Sequence, residues 1–340
     1  MKQPIKNAFR WDVLHADKTI IAPTSEDFIF VSPKKLIGIE VEVENVGSLP
    51  GFDPNFWYTK EDGSLRNHGI EFISKPICGN QITAALNWLF HQYLPLKAQF
   101  TERTSIHIHV NMRDSSQNTL LNILILYIVF ERLFYKFAGP IRYKNIFCVP
   151  VQETKLPIAV ANYLVYQSLM SLTREWQKYS GLNLAPLRQF GTVEYRHMQG
   201  HRDIKYLLTW INLLFRLHKY AKKHEFILLF NNIQTLNTTS AYEEFVKSVF
   251  KEDAHHLLTN TLQPDMESGV STVKTISLPS PFIKNLLAQI KNESDLLKAL
   301  NISTTSVKSH EIKPESIWGI PDGVQPISID TFYDQSLRTR

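Results

Sequence analysis

The chain has 340 residues, of which 44% are hydrophobic and 20% are charged, and this balance describes an ordinary soluble globular protein. Its net charge of +5 suits anionic ligands such as nucleotides, while the absence of a Lys/Arg block argues against a nucleic-acid-binding arm. Two widely spaced cysteines, Cys78 and Cys148, exclude a disulfide framework and a zinc-knuckle spacing. With neither a signal peptide nor a membrane span evident, we expect a cytoplasmic protein with reduced thiols.

The first clear element is a strand between Lys35 and Val46, where apolar and polar residues alternate. A period of two is typical of a strand with one buried face, because successive side chains point to opposite sides. Its polar face carries three carboxylates, Glu40, Glu42 and Glu44. The sequence then predicts a turn-rich connection at Gly47–Pro54, a short strand at 56–59, a turn at Glu61–Ser64, and a strand from Gly69 to Ser74 with Glu71.

Helical and strand periods then alternate. Apolar residues at helical spacing predict a helix over residues 82–93, and alternation from Ser105 to Met112 predicts a strand with His107 and His109 on its polar face. Residues 117–138 are apolar nearly all round, which indicates a buried helix that Gly139 ends.

The second half of the chain contains one further motif-bearing strand. A helix is expected from about Ile158 to Lys178, followed by a strand around residues 191–197 in which Glu194 and Arg196 share a face. Residues 203–222 are apolar except for a narrow polar stripe, and this pattern predicts a helix that packs against the sheet.

The C-terminal region has a different character. Ser240 and Glu243 form a plausible capping box at the start of a helix, and Ser280–Pro281 resembles the start of another. Residues 302–340 are polar and punctuated by prolines, as expected of a peripheral tail. We therefore expect a catalytic domain at residues 1–230, and a helical region with a polar tail at residues 231–340.

Taken singly, each polar strand face is typical of a solvated sheet surface. If the strands share one sheet with these faces turned inward, however, at least four carboxylates and two imidazoles converge. Like charges at such short distances would repel each other strongly unless cations neutralised them. Oxygen-rich ligation with one or two imidazoles suits Mg²⁺ or Mn²⁺ better than Zn²⁺.

The order of these motifs resembles the amidoligase family. That family belongs to the glutamine synthetase and γ-glutamylcysteine ligase superfamily of ATP-dependent carboxylate–amine ligases. The resemblance runs over residues 35–220, through Gly-Ile-Glu-Val-Glu, Asp-Gly-Ser with Gly-x-Glu-Phe, His-x-His-Val, Lys-Tyr-x-Gly-Leu-Asn-Leu and Gly-Thr-Val-Glu-Tyr-Arg. It implies an α+β, glutamine synthetase-like fold in which a curved antiparallel sheet is packed by helices and binds ATP and Mg²⁺ on its concave face.

The resemblance also implies roles for individual residues. The residues similar to metal ligands are Glu40, Glu42, Glu71, His107 and Glu194. Arg196 looks like the arginine that contacts the transferred phosphate, so Arg196, Glu194 and Glu42 are the expected catalytic residues. The residues expected to bind the nucleotide or phosphate are His109, Arg196, Arg188 and Asn183. The role of Glu44 stays open.

These roles fit an enzyme that forms an amide from a carboxylate and an amine, of small-molecule or peptide origin. Phosphoryl transfer from ATP turns the carboxylate into an acyl phosphate, which the amine attacks. Two alternatives stay open: a metal-dependent hydrolase or oxygenase that uses His107, His109 and a carboxylate, and a non-catalytic module that binds nucleotides or nucleic acid. The substrates and the oligomeric state are not readable from the sequence.

Overall fold

Alternating apolar and polar residues form one antiparallel sheet. The structure, a computed structural model, describes residues 5, 8, 9, 35–47, 56–166 and 168–276. Within these residues the sheet has six strands, namely β1 Ile37–Val43, β2 Trp57–Lys60, β3 Ile70–Ser74, β4 Ser105–Asn111, β5 Leu182–Asn183 and β6 Thr192–Gln199. The predicted strands are therefore confirmed, and most of the predicted connection at 47–54 lies outside the described residues.

The strand order is β2-β3-β1-β4-β6-β5, and every neighbouring pair is antiparallel. The register places Glu40 of β1 opposite His107 of β4, and Glu42 opposite Glu71 of β3. Residues directly opposite one another in a sheet point to the same side, so these polar side chains share a face. The other face carries the apolar members of each strand.

A β-bulge interrupts the pairing of β4 with β6. Ile106 pairs with Met198 whereas Ile108 pairs with Tyr195, so β6 has one more residue than β4 across this interval. Such a bulge re-aims side chains locally. Arg196 lies on the polar face, and the following His197 is fully buried among aromatic rings on the apolar face.

Helices pack against the sheet. The α-helices of the described residues are α1 Asn80–Asn87, α2 Gln117–Ala138, α3 Leu156–Tyr166, α4 Leu169–Glu175, α5 Pro186–Gln189, α6 Ile204–Lys223, α7 Phe226–Gln234, α8 Thr239–Phe250 and α9 Gln263–Thr275. A π-helical stretch, Trp88–Tyr93, continues α1, and 3-10 turns lie at Pro140–Lys144, Val151–Glu153 and Lys251–His256. Helix α2 has the predicted bounds and contacts β6, α6, α7 and α9, which accounts for its apolar sequence on all sides. The general class, mixed α and β with an antiparallel sheet packed by helices, is confirmed.

Two details of the helix predictions are wrong. The helix expected from 158 to 178 is two helices, α3 and α4, because the Ser168 hydroxyl accepts from the Ser171 N–H and starts a new helix there. Helix α8 is capped by Thr238, whose hydroxyl accepts from the Ala241 N–H, and Ser240 lies inside the helix. Helices α7 and α9 had no counterpart in the sequence predictions.

The chain divides into two compact units, residues 1–276 and residues 277–340. The helix predicted near Ser280 and the tail predicted at 302–340 lie outside the described residues. The functional boundary near residue 230 stays a prediction. Among the described residues, no helix combines the length and the apolar character needed to cross a bilayer.

Candidate active site

The polar face of the sheet lines a cleft of about 440 Å³. This volume lies in the range of small-molecule sites. The cleft brings together every residue for which the sequence predicted a metal, nucleotide or catalytic role, namely Glu40, Glu42, Glu71, His107, His109, Asn183, Arg188, Glu194 and Arg196. Their location in one cleft agrees with the predicted convergence, while their individual roles stay predictions.

Glu40 lies at the centre of the cluster, between two imidazoles. Its Oε2 is 2.9 Å from His107 Nδ1, and its Oε1 is 3.0 Å from His109 Nε2. Burial alone would raise the pKa of Glu40, but His109 and His107 hold it well below the usual range. Conversely, burial opposes protonation of His109, and Glu40 and Glu194 nevertheless raise the pKa of His109. Glu40 is therefore an ionised carboxylate with imidazoles on both oxygens.

Glu194 is held from three sides. The Asn183 side-chain amide donates to its Oε2 at 2.7 Å, Arg196 forms an ion pair with its Oε1, and His107 Nδ1 lies 3.3 Å from that same oxygen. Burial favours the neutral acid, yet Arg196 and the two histidines lower the pKa of Glu194. Arg196 is oriented in turn by the Phe147 carbonyl, which accepts from its Nε–H at 3.2 Å.

Ser105 orients Glu42, and the sequence predictions missed it. Oε2 of Glu42 accepts from the Ser105 N–H at 2.8 Å and from its hydroxyl at 2.6 Å. The same hydroxyl lies 2.7 Å from His107 Nε2, so it links the carboxylate to the imidazole. The signal was present in the sequence, since Ser105 has the same parity as His107 and His109 on β4.

Glu71 is the least satisfied member of the cluster. It is only 5% exposed, and among the described residues its Oε2 has no hydrogen-bond partner; Lys60 Nζ lies 3.6 Å away. Burial, with the charges of Glu40, Glu42 and Asp62, raises the pKa of Glu71 to about 8. A buried carboxylate oxygen that accepts no hydrogen bond and lies among other carboxylates is an arrangement that a divalent cation would stabilise.

Three sets of side chains among the described residues bring ligand atoms within 4.8 Å of one another. The sets are Glu40 with Glu71 and His107, Glu40 with His109 and Glu194, and Glu42 with Asp62 and Glu71. Asp62 is an addition to the predicted ligands, because the sequence placed it only in a turn. Carboxylate oxygens dominate all three sets, so the donor chemistry fits Mg²⁺ or Mn²⁺.

Glu44 has a structural environment distinct from that of the other two β1 glutamates. It is 3% exposed, and its oxygens accept from the Arg66 N–H at 2.7 Å and the Thr101 hydroxyl at 2.9 Å. Both oxygens are thus used in holding two loops to the end of β1. This explains why Glu44 does not line the cleft although it shares the polar parity of Glu40 and Glu42.

Cationic side chains surround the acidic cluster at the cleft wall. Lys60 and Arg103 lie on the side of β2, and Lys178 and the exposed Arg188 lie on the side of β5. Arg103 donates through Nε and Nη2 to the Ser64 carbonyl at 3.0 and 2.7 Å, which ties it to the turn that carries Asp62. The cleft therefore offers acidic groups for cations inside and basic groups for anions at its rim.

One family model matches a segment of the chain that contributes many residues to this cleft. Residues 58–217 match the model of a family described as "Putative amidoligase enzyme". The match includes Glu71, His107, Glu194 and Arg196, while Glu40 and Glu42 lie on β1, which pairs between two strands inside the match. A search of curated proteins finds no match to the chain. The resemblance to amidoligases is thus confirmed over residues 58–217, which match a family whose name indicates an amide-bond ligase.

Proposed function

We propose that the protein is an ATP- and Mg²⁺-dependent carboxylate–amine ligase that forms an amide, of γ-glutamyl or peptide type, through an acyl phosphate. The observation that carries this proposal is the convergence of carboxylates, two imidazoles and Arg196 in one cleft that is built largely by an amidoligase segment. In this proposal the sheet is a glutamine synthetase-like sheet whose polar face is the concave one. Residues 1–230 form the proposed catalytic domain, followed by a helical region and a polar tail at 231–340.

The acidic cluster would hold the metal ions. Glu40, His107 and Glu194 are proposed to hold the ion at the ATP phosphates, and Glu42 with Glu71 a further ion, to which Asp62 is added as a ligand. Mg²⁺ bound there would neutralise phosphate charge and orient the reactants. Ser105 and Asn183 keep Glu42 and Glu194 in their rotamers, since each donates a hydrogen bond to one carboxylate oxygen.

Arg196 is proposed to stabilise the charge on the phosphoryl group during transfer. An oxygen of the acid substrate takes the γ-phosphoryl group and releases ADP; the amine nitrogen then attacks the acyl carbon, loses a proton, and displaces phosphate. Glu194 and the Phe147 carbonyl fix the guanidinium before reaction, so little reorganisation is needed. His109, whose Nδ1 lies 3.0 Å from the Thr192 hydroxyl, is held in position beside the proposed nucleotide site.

The rim of the cleft supports anionic substrates. Lys60 and Arg103 at one side, and Lys178 and Arg188 at the other, provide positive charge for substrate carboxylates and nucleotide phosphates. Small-molecule or peptide carboxylates and amines are the proposed partners, whereas nucleic acid is not favoured. Free thiols at Cys78 and Cys148 and the demand for ATP fit a cytoplasmic protein.

The test is ADP and phosphate release with panels of amino acids and amines, with and without Mg²⁺. Arg196→Ala and Glu42→Gln should abolish substrate-dependent ADP release, whereas Glu44→Gln, outside the cleft, should retain it. Product mass equal to acid plus amine minus water would confirm the amide. Metal-dependent turnover without ATP would instead establish a hydrolase or oxygenase, and salt-sensitive nucleotide or nucleic-acid binding without turnover would establish a binding module.

A further inference from the structure

A fully buried carboxylate, Glu131, lies in α2 on the apolar side of the sheet. It accepts three hydrogen bonds: from the Tyr127 hydroxyl at 2.8 Å, from the Val151 N–H at 2.6 Å, and from the Gln152 N–H at 3.1 Å. A buried charge destabilises a protein unless such donors compensate it, so a buried glutamate at this position calls for a structural explanation. The last two bonds fix the start of the 3-10 turn Val151–Glu153 against α2.

The first of these bonds continues to β6. Tyr127 Oη lies 2.7 Å from Nε2 of His197, which directly follows Arg196. Because the Tyr127 hydroxyl donates its hydrogen bond to Glu131, it must accept a hydrogen bond from His197 Nε2–H. This sets the tautomer of the imidazole. Burial and nearby positive charge lower the pKa of His197 to about 3, so the ring is neutral, as this arrangement requires. Glu131 is thus connected to the residue next to Arg196.

The turn held by Glu131 provides a second connection. The Phe147 carbonyl, four residues before Val151, accepts a hydrogen bond from Arg196 Nε–H. The Val149 carbonyl accepts a hydrogen bond from the Gly181 N–H at 2.9 Å. The Gly181 carbonyl in turn accepts a hydrogen bond from the backbone N–H of Arg196 at 2.8 Å. The segment 147–152 therefore supports both the guanidinium and the backbone of Arg196, and Glu131 anchors the end of this segment.

From this geometry we infer that Glu131 is a positioning residue, which sets the orientation of Arg196 from the opposite side of the sheet. One connection runs through Tyr127 and His197, and the other through the segment 147–152. Glu131 itself does not line the cleft and would contact no substrate. The effect on turnover rests on the proposed ligase function, whereas the orientation of Arg196 can be measured without it.

The test compares Glu131→Gln with the wild-type protein. The variant keeps the size of the side chain, but its amide presents a donor where Glu131 accepts from three donors. The direct readout is solvent exchange of the Arg196 Nε–H in nitrogen-15 NMR spectra, with the signal assigned by its loss in Arg196→Lys. Exchange should accelerate at least about tenfold, the factor expected for losing one hydrogen bond.

A matched control is Asn122→Ala in the same helix. Asn122 is equally buried and donates to the Ala221 and His224 carbonyls, away from β6. It should lower the unfolding midpoint without changing the exchange of the Arg196 Nε–H. Tyr127→Phe, which deletes only the hydroxyl, serves if Glu131→Gln does not fold, and should reproduce the accelerated exchange. Unchanged exchange in a folded Glu131→Gln or Tyr127→Phe protein would overturn the inference.

The kinetic readout separates positioning from general destabilisation. Glu131→Gln should lower kcat about tenfold with KM for ATP nearly unchanged, and should have little further effect in an Arg196→Lys background, whose turnover is lowered but not abolished. An undiminished effect in that background would overturn the inference. If the wild type shows no ligase turnover while the exchange still responds, the proposed function fails and the positioning role of Glu131 stands.

Discussion

Glu71→Gln tests whether the acidic cluster is built for a cation. The pKa of Glu71 rises from 4.5 to about 8 by burial and neighbouring carboxylates, so the folded protein keeps a proton there that the unfolded chain loses. Stability therefore falls as the pH rises from about 4.5 to about 8. Between pH 4.5 and pH 7, at ~1.4 kcal/mol per pH unit, the wild type loses ~3 kcal/mol of its free energy of unfolding. The Glu71→Gln variant has no proton to lose at this position, so its stability lacks this loss.

The assay is urea unfolding of both proteins at several pH values in EDTA and in Mg²⁺. In EDTA at pH 7 we expect Glu71→Gln to be more stable than the wild type by up to ~3 kcal/mol, since its exposed partner Lys60 contributes little. Excess Mg²⁺, at 100 times its Kd, should add ~2.7 kcal/mol to the wild type and much less to the variant. Titration calorimetry in two buffers should show close to one proton released when the wild type binds Mg²⁺ near pH 7.

Glu44→Gln is the matched control for this experiment. Glu44 is as buried as Glu71 but has hydrogen-bond donors on both oxygens, so an amide there places a donor against a donor. It should destabilise the protein with or without Mg²⁺, by about 1–3 kcal/mol. The reasoning about the cluster is refuted if Glu71→Gln also destabilises the protein with or without Mg²⁺. It is equally refuted if the stability of Glu71→Gln relative to the wild type does not increase between about pH 5 and pH 8.

Three further predictions concern the support of the site. Ser105→Ala removes the hydroxyl bond to Glu42 and should weaken Mg²⁺ binding about 10- to 100-fold, as measured by calorimetry. Arg196→Lys should lower kcat about 10³-fold with little change in ATP binding, because an ammonium lacks the planar fork. Gly181→Ala should destabilise the protein by about 1–3 kcal/mol in urea, since a Cβ there would lie 2.5 Å from Tyr127 Oη; an unchanged midpoint would contradict this.

Much of the fold could be predicted because side-chain direction in a strand is a local property. Alternation alone assigned Glu40, Glu42, His107 and Glu194 to polar faces opposite apolar ones, and the buried helix α2 followed from its unbroken apolar sequence. The helix boundaries at Ser168 and Thr238 were missed because a cap depends on backbone conformation that several serines and threonines nearby could adopt.

Strand pairing and its consequences were decided by the tertiary structure. The sequence by itself determined which residues share a strand face, but β1 lies between β3 and β4 only because long-range packing put it there. The same pairing brings Asp62 to Glu71, directs Glu44 to two loops, and places Glu131 behind Arg196. Hydrogen bonds between residues far apart in the chain carry no periodic signal, so these features became visible only in three dimensions.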